Sequence, residues 1–144
     1  MEEIPEAQWH ALTAADPIPF YSWRWLVRLE RSGSVVPRQG WQPCHLGLWQ
    51  GEQLIAAAPL YLKGHSYGEF VFDQSFAQLA AQLGHRYYPK LLGMSPFSPV
   101  EGYRFFTAPG QDAAALTPLM LELIDGFCRE HGILSVNFLY VDPS

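Results

Sequence analysis

The chain reads as a mixed α/β protein on three observations. Apolar runs of strand length alternate with amphipathic runs of helical period, the first two strand-like runs are joined by a hairpin-type connection, and no repeat or low-complexity stretch interrupts them. With 49% hydrophobic, 15% aromatic and only 16% charged residues in 144, the composition is that of a globular protein rich in large rings. A chain of this length buries roughly 70% of the surface its unfolded form exposes.

Residues 1–19 mix Glu, Ala, Pro and Trp9 without sustained periodicity. They read as an irregular lead-in with one short helix, ahead of a domain spanning 20–144. Ser22 offers an N-cap, after which Trp25, Leu26 and Leu29 recur at helical spacing up to a Ser32-Gly33 stop. The apolar runs 44–49 and 54–62 are joined by Gln50-Gly51-Glu52-Gln53, the chemistry of a β-hairpin. The second run is apolar on both faces, as in a covered sheet, and Pro59 inside it cannot donate to a ladder, which predicts a bulge or splay there. A polar segment, 63–69, leads through Phe70, Val71 and Phe72 to a helix over 76–83. Residues 87–93 read as a strand broken by Pro96 and Pro99, and 103–107 as a short strand ended by Pro109-Gly110. Leu116, Leu119, Met120, Leu123, Ile124 and Phe127 trace one helix face that closes at His131-Gly132. Thr117 is the expected cap, with Pro118 in the first turn, and Asp112 the alternative start of an earlier turn. A β-rich run, 133–141, follows.

Several classes are disfavoured. No run approaches the roughly 18 apolar residues of a membrane span, and Met1-Glu2-Glu3 is unlike the basic start of a signal peptide, so a cytoplasmic location is expected. A net charge of −5 gives no overall pull toward DNA or anionic lipid. Cys44 and Cys128 are far apart, and His10, His85 and His131 show no ligand spacing, so neither a disulfide framework nor a metal site is expected. Cys44 and His45 are neighbours on a strand and point to opposite faces, so they do not pair as nucleophile and base.

The more specific signal is a series of short words. These are Gly40-Trp41-Gln42-Pro43-x-His45-Leu46, Pro59-Leu60-Tyr61-Leu62-Lys63-x-His65-Ser66-Tyr67-Gly68-Glu69, Tyr87-Tyr88-Pro89-Lys90-Leu91-Leu92, and Pro96-Phe97-Ser98-Pro99-Val100-x-Gly102-x-Arg104. In this order they resemble a FemAB-like family of the GNAT acyltransferase superfamily, described as peptidoglycan biosynthesis or recognition proteins. The resemblance covers about residues 19–140. It implies a GNAT-like mixed, mainly antiparallel sheet with helices on both faces. It also implies that family members are longer, with two GNAT-like halves of which this chain matches the first.

The resemblance further implies transfer of an acyl or aminoacyl group to an amine, a cell-wall precursor being the natural acceptor, with acetyl-CoA or aminoacyl-tRNA as donor for the full-length family. A CoA pyrophosphate is held on helix N-terminal N–H groups. The corresponding loop here, 107–112, has one glycine, a proline without N–H and an acidic Asp112, so no cofactor is expected in this chain and its expected share is acceptor binding. The polar cluster near the end of the second strand supplies the candidates. Glu69, His65 and Asp73 are expected as proton acceptors, and Lys63, Tyr67, Tyr88, Lys90 and Arg104 as acceptor-binding groups, the cations gripping a phosphate or carboxylate. For each the ordinary alternative is structural: a capping or solvated acid, a backbone-bonded histidine, an ion-paired cation, a core ring. Two further readings stay open, a non-catalytic recognition module and a homodimer formed through an open sheet edge near 133–141.

Overall fold

In the computed structural model the described residues are 1–65, 67–69 and 73–143; the expected apolar triplet 70–72 and Ser66 of the second word lie outside them. Residues 41–63 behave as one long hairpin bent in the middle. β1 (Trp41–Pro43) pairs antiparallel with β4 (Tyr61–Lys63), and β2 (Leu46–Gln50) with β3 (Gln53–Ala58). At the bend the Cys44 N–H still donates to the Leu60 carbonyl at 2.8 Å, but Pro59 has no N–H, and the Leu60 N–H turns to Nδ1 of His45 at 3.2 Å. The two arms therefore enter different sheets. One has the order β1-β4-β5-β7, with β5 (Lys90–Gly93) and β7 (Val136–Phe138), and the other the order β2-β3-β6, with β6 (Phe106–Thr107). Among the described strands β5 and β7 run parallel and the other pairs antiparallel. The mixed, mainly antiparallel α+β fold is as expected, and the splay at Pro59 divides the sheet outright.

Four α-helices are present among the described residues: α1 (Glu6–Thr13), α2 (Trp23–Arg31), α3 (Gln74–Gln82) and α4 (Ala113–Glu130). Ser22 caps α2 by accepting from the Trp25 N–H. At α4 the expected Thr117 cap is corrected: the Asp112 carboxylate accepts from the Ala114 and Ala115 N–H groups at 3.0 and 3.2 Å, and Pro118 lies inside the helix. A carboxylate that satisfies two of the orphan N–H groups starts the helix earlier than the proline would suggest.

β3 shows why its sequence is apolar throughout. Leu54 and Ala57 join a core with Trp9 and Leu12 of α1, Leu26 and Val27 of α2, and Phe106. Ala56 and Ala58 join a second core with Met120, Ile124 and Cys128 of α4, together with Leu60 and Leu91. Side chains alternate along a strand, and the register shift between Leu48 and Trp49, which leaves Ile55 without a direct partner, lets Leu54 share a core with Ala57. Both faces are covered, and alanines allow close approach from each. The residues before 20 contribute to this core. Trp9 is fully buried and its Nε1 donates to the Tyr21 carbonyl at 2.7 Å. A third cluster, of Val35, Trp41, Tyr61, Leu92 and Met94, fills the β1-β4-β5 region.

Candidate functional site

Strand register places Trp41 opposite Lys63 and Lys63 opposite Lys90, so three residues distant in sequence form a row across β1, β4 and β5. Directly opposed residues share a face of the sheet. Lys63 Nζ lies 3.5 Å from the centroid of the Trp41 ring and donates to the Tyr67 carbonyl at 2.9 Å. Lys90 Nζ reaches Glu69 Oε2 at 2.7 Å and Asp73 Oδ2 at 2.8 Å, and Asp73 Oδ2 also accepts from the Tyr87 hydroxyl. The Tyr140 hydroxyl donates to the Glu69 carbonyl at 2.8 Å. The charged groups are sealed in: Lys63 and Glu69 are 0% exposed and Lys90 2%.

Burial dominates the electrostatics. It pushes the Lys63 ammonium down to about 8, with Glu69 opposing and Lys90 reinforcing the shift. Burial raises the Glu69 carboxyl, and Lys90 offsets only part of that. For Lys90 burial works against the charge, but the hydrogen bonds to Asp73 and Glu69 outweigh it and hold the ammonium above its ordinary range. Oε1 of Glu69 accepts no hydrogen bond from any described residue, consistent with a carboxyl that resists ionisation.

His65 ties two loops together. Its Nε2 donates to the Gln39 carbonyl at 2.9 Å while Nδ1 accepts from the Tyr67 N–H at 3.1 Å, so both ring nitrogens are engaged in one consistent tautomer. Burial, then the nearby Lys63, keeps this imidazole below its ordinary value and neutral at pH 7. The ring lies so close to Gly40, at φ +76°, that a Cβ there would stand 2.3 Å from Nε2. Phe97 adopts φ +58°, rare for a bulky residue, with its N–H donating to the Gly68 carbonyl at 3.1 Å and its ring 5.2 Å from Trp41.

Between these loops opens a cavity of about 580 Å³. Its aromatic walls are Trp41, Tyr67 and Phe97, with Tyr67 75% and Phe97 41% exposed; Ser32, Ser34, Arg38, Gln39 and His65 supply the polar lining.

Of the residues expected from sequence, Lys63, Tyr67, Glu69, Asp73 and Lys90 come together, with His65 at their margin. Tyr88 packs edge-on against Tyr87, 4.8 Å away, and its ring lies 5.8 Å from Lys90 Nζ. Arg104 stands apart from the other cations. It pairs with Asp142 at 2.9 Å and Asp16 at 3.0 Å over the Phe106 ring, so the three cations do not converge on one ligand.

Two features come into view that the sequence does not single out. One is Arg38, the cation that does line the cavity. The other is a part-buried pair in which His45 Nε2 donates to Glu30 Oε1 at 2.8 Å, beside the Met1 ammonium at 2.9 Å from Glu30 Oε2, while His45 Nδ1 holds the Leu60 N–H, mending the ladder that Pro59 breaks. The legible trace of that pair is that Glu30 falls four residues after Leu26, on the buried face of α2. Cys44 beside it is pushed up by burial and stays a thiol. At α4 the Asp112 carboxylate already occupies the first N–H groups, so an acyl-CoA pyrophosphate does not fit there.

No helix among the described residues is long and apolar enough to cross a membrane. No curated protein and no solved structure gives a significant match to the chain. A family model does, over residues 1–144, and its description is peptidoglycan biosynthesis/recognition. The words around Trp41, Lys63, Lys90 and Phe97 thus lie in the row and loops that build the cavity, and the chain belongs to the FemAB-like family.

Proposed function

We propose that this chain recognises an amine-bearing cell-wall precursor and provides the acceptor side of an N-acyl or aminoacyl transfer, with the cavity walled by Trp41, Tyr67 and Phe97 as the recognition site. The observation that carries this reading is the cavity itself. Exposed Tyr67 and Phe97 rings, held by the His65 bridge and the left-handed Phe97 backbone, stand beside planar and hydroxyl hydrogen-bonding groups. Aromatic faces next to such groups suit a sugar ring or a peptide.

In acyl transfer to an amine the nucleophile is the substrate's own nitrogen, so the protein's part is positioning and proton acceptance. Here Lys63, Glu69 and Lys90 are sealed and both nitrogens of His65 are engaged. In this reading the Lys90–Glu69–Asp73 network braces the loop that carries Tyr67, and the donor, acetyl-CoA or aminoacyl-tRNA, binds at a site other than α4. The same engaged side chains favour a second reading, a recognition module that binds without turnover.

One comparison separates the two. Binding of a disaccharide-peptide from peptidoglycan is measured calorimetrically on this chain and on a longer FemAB-like relative, and transfer to its free amine is followed with each donor. Binding by both with transfer by the relative alone supports the acceptor-side reading; binding by both and transfer by neither supports the module. Absence of binding to this chain refutes both.

A homodimer through the outer edge of β7 extends this reading. Leu134 and Val136 are exposed there, in a run free of charge, so the pairing edge brings no like charges face to face. A monomer in sedimentation at micromolar concentration would refute it.

A further inference from the structure

We infer that the cavity reads an oxyanion on its ligand, a carboxylate or a phosphate, through Arg38; the inference rests on the cavity being the recognition site. The chain has nine basic and fourteen acidic residues. Arg24, Arg31, Arg104 and Arg129 are paired with carboxylates, Lys90 with two, and Lys63 is sealed beneath Trp41, while Arg28 and Arg86 are exposed but do not line this cavity. Arg38 is exposed, makes no ion pair with any described residue, and lines a cavity in whose walls there is no Asp or Glu. In a chain of net charge −5 that is a local reversal of the overall balance.

The guanidinium is also placed. It lies against Gly33, where a Cβ would stand 3.0 Å from Arg38 Nη2 and where φ is +79°. Ser32 and Ser34, hydrogen-bonded to each other through their hydroxyls at 3.0 Å, line the same wall. A guanidinium fork takes carboxylate or phosphate oxygens in pairs, and adjacent hydroxyls and the Gln39 amide can complete their shell. Tyr67 and Phe97 form the aromatic side. The ligand feature specified is therefore an oxyanion attached beside a ring or other apolar face. His65 is neutral and fully bonded, which leaves Arg38 as the group that carries charge into the cavity.

The test uses three probes on the full chain at low ionic strength, where an exposed charge is least screened. They are N-acetylmuramic acid, N-acetylglucosamine 1-phosphate and neutral N-acetylglucosamine, each followed by NMR through the Arg38 side-chain N–H and the Tyr67 ring signals. At least one anionic probe is expected to bind about tenfold or more tightly than the neutral sugar, and the better one names the source of the oxyanion. Arg38→Gln is expected to erase that preference, read as the ratio of anionic to neutral affinity within each variant, and Arg38→Lys to keep part of it. Equal affinities for the three probes, with Tyr67→Ala weakening all of them, overturn the oxyanion inference and leave the cavity reading standing. Absence of any binding, or binding indifferent to Tyr67→Ala, overturns both.

Discussion

Replacing Lys90 by methionine is the perturbation that most directly probes the buried network. The ammonium sits 2.7 Å from Glu69 Oε2 and 2.8 Å from Asp73 Oδ2, with all three groups buried. At an effective dielectric of about 20 each contact amounts to about 6 kcal/mol of attraction, set against several kcal/mol of desolvation for each ion. Removing the ammonium takes their shared cation from both carboxylates, and the expected loss is about 3–5 kcal/mol of unfolding free energy at pH 7. That is a large share of the ~5–15 kcal/mol that stabilises a domain.

The loss should depend on pH. Glu69 is already held above its ordinary value, and without Lys90 its carboxyl rises further. A group raised in the folded state contributes its stability below its unfolded pKa and loses it as pH climbs through the folded one. The deficit of the variant should therefore shrink at pH 4 and grow toward pH 7. Urea unfolding followed by tryptophan fluorescence and circular dichroism at both values is the assay. Adding Glu69→Gln to Lys90→Met should recover part of the loss. A deficit under about 1 kcal/mol at pH 7, or one identical at pH 4, would refute the claim that these charges depend on one another.

Three further outcomes follow from the same structure. Lys63 is depressed from 10.5 to about 8, so its protonation opposes folding; that stability is present above 10.5 and lost as pH falls through 8. Wild type should therefore gain on Lys63→Met by up to about 3 kcal/mol between pH 8 and 10.5 in paired urea titrations. His45→Ala leaves the Leu60 N–H unpaired and the Glu30 carboxylate with the Met1 ammonium but without the imidazole, and should cost about 1–3 kcal/mol at pH 7. Both His45 and Glu30 are depressed in the fold, so the gap between wild type and His45→Ala should narrow as pH falls below 6.5. Asp112→Ala should cost about 1 kcal/mol through the lost cap, and Thr117→Ala under about 0.5 kcal/mol; thermal unfolding of both variants checks the order.

Local chemistry was the legible part of the fold. The Ser22 cap, the hairpin around Gly51 and the break at Pro59 each follow from one residue type acting on its immediate backbone. The start of α4 was less legible because two cap-capable residues, Asp112 and Thr117, stand near Pro118, and which of them captures the N–H groups depends on the chain path before the helix. At the site, Glu69 and Asp73 do meet at Lys90, but Arg104 belongs to a different ion-pair cluster and Arg38 takes the place at the open cavity.

The sequence alone determined the elements, the mixed α+β class and, through its words, the family. Only the tertiary structure decided which charges are buried and which face solvent. Trp41, Lys63 and Lys90 align because three strands pair in one register, and Gly40 and Gly68 matter because rings from distant loops rest on them. Register and loop approach are set by contacts between segments tens of residues apart, whereas caps, turns and breaks are set within a few residues.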